Sequence, residues 1–65
     1  MRITCNGRAL EVAAATISEL LAEMKITAAR TAVERNRALV PQRLWPETRL
    51  AEGDAIEVVQ MVGGG

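Results

Sequence analysis

The sequence contains no histidine, tyrosine or phenylalanine, and only one cysteine and one tryptophan. Each shortage closes a class of function. Without histidine, and with Cys5 as the sole thiol, the ligands for a zinc or redox-metal cluster are missing and no internal disulfide can form. A reduced, cytoplasmic setting fits this cysteine usage. A surplus of one charge is also missing: eight basic residues offset eight acidic ones, and neither sign forms a block. Nucleic acid and membrane surfaces are therefore not expected partners, because both are held mainly through concentrated positive charge. No apolar run approaches the roughly 20 residues needed to cross a bilayer, and no charged-then-apolar leader opens the sequence. Nor is there a nucleophile with a matching base, or a pair of carboxylates around a positioned site, so the chain is not expected to be an enzyme. No bound cofactor is expected either.

What is present suits one small domain. Apolar residues make up 49% of the 65 positions, and with Trp45 the only aromatic the core has to be aliphatic. Met1, Ile3 and Cys5 alternate with Arg2 and Thr4, the pattern of a half-buried strand. Asn6-Gly7 follows, a pair suited to the positive φ angles of a type I′ hairpin turn. A second strand is expected over Arg8 to Ala13, with Leu10 and Val12 inward. Thr16-Ile17-Ser18-Glu19 has capping-box spacing, and Ile17, Leu20, Leu21 and Met24 then recur as the stripe of an amphipathic helix. Lys25 to Arg30 reads as a short connection.

Strand-like residues resume at Thr31 to Arg35, Asn36-Arg37 marks a bend, and Ala38 to Val40 makes a brief strand that Pro41 halts by withholding a backbone donor. Gln42 to Trp45 suits a single helical turn, Ala51-Glu52-Gly53-Asp54 is turn chemistry, and Ala55 to Val62 reads as the last strand. The order predicts an α+β fold, a mixed sheet of four to five strands packed on one helix. On the last strand Ile56 and Val58 share one face, and Val59 and Met61 the other. A single helix covers one face of a sheet, so burying the first pair leaves the second partly exposed. With Val62, they form a candidate partner-docking surface beside the end of the chain.

That end is Gly63-Gly64-Gly65. Glycine lacks a Cβ, so three in succession lie extended or thread a narrow channel at little steric cost. The predicted organisation is a folded domain over 1–62 with a flexible tail over 63–65. A carboxylate at its tip is able to attack an activated phosphate. Cys5, at an inward strand position, reads as a small buried hydrophobe rather than a reactive thiol. Trp45 reads as a plug between the short helical turn and the sheet.

The Asn6-Gly7 hairpin, Thr16-Ile17-Ser18-Glu19-Leu20-Leu21, Ala32-Val33-Glu34 before Asn36, Val40-Pro41-Gln42-Arg43-Leu44-Trp45, Glu52-Gly53-Asp54 and Val62-Gly63-Gly64-Gly65 together resemble the ubiquitin-like β-grasp sulfur carriers. Among these, the carriers of thiamin biosynthesis are the most similar. The resemblance spans the whole sequence and implies a β-grasp fold. It also implies that an E1-like adenylating enzyme uses ATP to activate the Gly65 carboxylate, and that sulfur from a cysteine desulfurase converts it to a thiocarboxylate. Thiazole synthase would then take the sulfur for the thiazole of thiamin, with Gly63 and Gly64 as the slim part of the tail that enters partner active sites. ATP belongs to the partner, and the carrier is a protein co-substrate. Delivery to molybdopterin or another thio-metabolite, and attachment to proteins as a ubiquitin-like modifier, remain open alternatives. Two positions depart from the family pattern: Arg35 stands at a usually apolar strand position, and Arg37 where glycine often completes the turn. Both bear on the local strand pairing.

Overall fold

The computed structural model describes residues 1–61. Alternation, turn chemistry and the helical stripe produce β1 (Arg2–Cys5), β2 (Arg8–Glu11), α1 (Ile17–Glu23), β3 (Thr31–Arg35), β4 (Ala38–Leu39), a 3₁₀ turn (Gln42–Leu44) and β5 (Ala55–Gln60). The strands form one sheet in the order β2-β1-β5-β3-β4. β1 and β5 run parallel at its centre, with Thr4 opposite Ala55 and Cys5 opposite Ile56. The other pairings are antiparallel. This is the mixed α+β sheet expected from the sequence, with five strands.

One face of the sheet makes the core. Ile3, Cys5, Val33, Ile56 and Val58 join Ile17, Leu20 and Leu21 of the helix in a single buried cluster, closed at its margins by Val12, Ala14, Trp45 and Leu50. α1 starts as its capping box predicts: the Thr16 hydroxyl accepts from the Glu19 N–H at 3.2 Å. The Glu19 carboxylate reaches back to the N–H of Ala15 at 2.8 Å, one residue before the cap. The helix ends in a Schellman arrangement, with the Lys25 N–H donating to Ala22 O and the Ile26 N–H to Leu21 O. Lys25 takes the left-handed position at φ 60° that glycine usually fills.

Two expected strands are shorter than the sequence pattern suggests. β2 stops at Glu11, although Val12 remains buried and donates its N–H to Met1 O at 2.8 Å. β5 ends at Gln60, after which the Met61 N–H donates to Arg30 O at 2.8 Å. Arg35 and Arg37 do not break the pairing. Arg35 keeps its register with Ala38 on one side and Ile56 on the other, and its guanidinium reaches Asp54. Asn36 and Arg37 take φ 51° and 72°, so the turn forms without glycine.

Candidate functional site

The two faces of β5 separate as the alternation predicts. Ile56 and Val58 are buried, whereas Val59 is 54% and Met61 57% exposed. Val59 lies opposite Ala32, and Glu57 opposite Glu34, on the face of the sheet turned away from α1. Leu39, 67% exposed, stands opposite Glu34 and so joins the same open face. Sequence reasoning had placed Val59 and Met61 in this patch but missed Leu39. The available signal was the register across the Asn36-Arg37 turn, which places Leu39 beside Glu34. Val62, Gly63, Gly64 and Gly65 lie outside the described residues.

β5 is held at both margins of this patch by side chains that imitate backbone. Beyond Cys5 the hairpin turns away and β1 can no longer pair with β5. There the Asn6 carboxamide takes over, accepting from the Val58 N–H at 2.8 Å and donating to Val58 O at 3.2 Å. Asn6 sits at φ 52°, a conformation asparagine tolerates better than most residues. At the start of β5, the Asn36 Oδ1 accepts from the Ala55 N–H at 2.9 Å and its Nδ2 donates to Asp54 at 3.1 Å. Both side chains belong to turn residues, so the turns also fix the direction in which β5 leaves the domain.

Asp54 is the centre of the second clasp. Besides Asn36, its buried carboxylate accepts from Arg35 Nε at 2.8 Å and from the Ala51 N–H at 2.8 Å. Burial alone would push its pKa up. The hydrogen bonds from Arg35, Ala51 and Asn36, with the guanidinium charge, outweigh burial and hold it below its ordinary value.

The other candidates read as structure. Cys5 lines a cavity of about 390 Å³ together with Asn6, Arg8, Ala9, Leu10 and Met24. Burial, and to a lesser degree the nearby Glu57, raises its pKa, which favours the protonated and poorly nucleophilic thiol. Trp45 is buried and its Nε1 donates to Val40 O at 2.9 Å, which plugs the short helical turn against β4. Among the described residues, no group of three or more His, Cys, Asp or Glu side chains is placed to hold a metal ion. No helix among them is long and apolar enough to cross a membrane.

One helix laid across a mixed sheet, with parallel central strands and an apolar open face beside the last of them, defines a ubiquitin-like β-grasp domain. Comparison with known proteins gives the family. The family model described as the ThiS family matches residues 3–65, and the chain belongs to that family. It is 33% identical over 66 aligned positions to the sulfur carrier protein ThiS of Escherichia coli strain K12, covering 100% of both chains. The crystal structure of the thiamine biosynthesis protein ThiS from Geobacter metallireducens superimposes with a TM-score of 0.83, at 32% identity and 100% coverage of both chains. A thiazole synthase of Paramagnetospirillum magneticum is also 33% identical over 66 positions, which cover 100% of this chain and 20% of that protein. The chain thus spans a fifth of the length of the thiazole synthase it matches.

Proposed function

We propose that this chain is the sulfur carrier for the thiazole of thiamin, and that it carries the sulfur on the carboxylate of Gly65. The observation that most supports this reading is the open-face patch of Leu39, Val59 and Met61, because it borders the strand that leads into Gly63-Gly64-Gly65. An enzyme docked on that patch has the tail within immediate reach. The full-length similarity to a protein named as the sulfur carrier ThiS agrees with it.

The chemistry then divides between the chain and its partners. The E1-like adenylating enzyme supplies ATP, and a Gly65 oxygen attacks the α-phosphate and displaces pyrophosphate. The resulting acyl-adenylate makes an inert carboxylate electrophilic. Sulfur originating from a cysteine desulfurase displaces AMP and leaves a thiocarboxylate, a softer nucleophile than the carboxylate. Thiazole synthase consumes that sulfur and returns Gly65 to the carboxylate. Gly63 and Gly64 act by being narrow, since a side chain at either position would widen the segment that enters each active site. The folded part contributes binding through Val59, Met61 and Val62, with Leu39 added by the structure. The chain is therefore a cytoplasmic co-substrate rather than a catalyst. The match to a thiazole synthase over the whole of this chain supports that enzyme as a partner.

ATP–pyrophosphate exchange by the adenylating enzyme tests the activation step. Exchange should depend on the carrier and disappear when Gly65 is deleted. Undiminished exchange with the shortened chain would contradict a role for the Gly65 carboxylate.

A further inference from the structure

Glu34 and Glu57 stand directly opposite one another on neighbouring strands of the open face. At that spacing like charges repel, and the arrangement opposes folding. The chain does not relieve it. Among the described residues, the ion pairs join the Met1 amino group and Arg2 to Glu11, and Arg35 to Asp54; none includes Glu34 or Glu57. The pair is set within the apolar patch, with Leu39 opposite Glu34 on its other side and Ala32–Val59 as the next row. Two exposed acids surrounded by exposed apolar side chains form a surface that an arginine or lysine would complete, provided its neighbours were apolar.

We propose that the adenylating enzyme docks on this face with an arginine or lysine set among apolar side chains, and that this cation seats between Glu34 and Glu57. The inference rests on the carrier reading above. Leu39, Val59 and Met61 supply the contact area, while the acid pair fixes the register of the partner along β5. Repulsion present in the free chain is relieved in the complex, so the pair favours association at the expense of the free fold. Electrostatic complementarity of this kind also discriminates against partners that present an acid at the same place.

The test is titration calorimetry of the full chain with the adenylating enzyme, comparing wild type, Glu34→Gln/Glu57→Gln and Glu23→Gln. The last variant removes a charge from α1, away from the open face. The double variant should bind at least about tenfold more weakly at low salt and lose most of the salt dependence of the wild-type affinity. Its melting temperature should be unchanged or higher, while Glu23→Gln should bind like wild type. Equal affinity and equal salt dependence for the double variant and wild type would overturn the inference. So would a loss of affinity for thiazole synthase with none for the adenylating enzyme. Carrier-dependent pyrophosphate exchange by wild type, measured alongside, separates the two levels: if it persists, only the docking inference has failed, and if it is absent the carrier reading fails with it.

Discussion

Asp54 gathers four of the contacts that matter at the scale of single residues: burial, the Arg35 guanidinium, the Asn36 carboxamide and the Ala51 N–H. Its pKa is lowered in the folded state, so its contribution to stability is present above the ordinary value of 3.8 and is lost as pH falls through the lower folded value. Melting temperature should fall on acidification through that range, and Asp54→Asn should flatten the dependence. The same substitution at neutral pH leaves Arg35 without its carboxylate and should cost about 1–3 kcal/mol in denaturant unfolding. Arg37 makes the opposite case. It holds φ 72° without being glycine, so Arg37→Gly should relieve strain and stabilise by about 0.5–1 kcal/mol. For a domain of this size a rise of about 2–8 °C in melting temperature would register it. These two residues also mark a limit of sequence reading. Arg35 looks wrong for a strand until Asp54, 19 positions away, is seen beside it.

At the scale of elements, the helix and the hairpins do different work. The stripe of α1 was legible because one period dominates it, and the buried set Ile17, Leu20 and Leu21 follows that stripe. Leu20 is fully buried, so Leu20→Ala should destabilise by about 2–5 kcal/mol. Equilibrium urea unfolding checks this, and a loss below 1 kcal/mol would mean the helix is packed more loosely than its burial indicates. Asn6 serves β5 rather than its own hairpin alone, through two bonds to Val58. Asn6-Gly7 predicted the turn from dihedral preference, but the reach of its side chain to a strand more than 50 positions away depends on the parallel pairing of β1 with β5. Leu39 escaped notice for a related reason: a two-residue strand has too little pattern to show which face it presents.

For the whole molecule, fold and proposed chemistry separate along the chain. The buried core ends at Val58 among the described residues, and the proposed reacting group is Gly65. Deleting Gly64 and Gly65 should therefore leave the melting temperature within about 1–2 °C of wild type, the scale of a few tenths of a kcal/mol, while abolishing sulfur transfer. Leu20→Ala should show the reverse order of effects, with stability lost first and the tail chemistry retained in whatever fraction stays folded. The most direct measurement is the intact mass of the chain after incubation with ATP, the adenylating enzyme, a cysteine desulfurase and cysteine. A gain equal to exchanging one oxygen for sulfur, located at Gly65 and dependent on ATP, is the expected result. An unchanged mass, under conditions in which the same enzymes load another carrier, would contradict the carrier function.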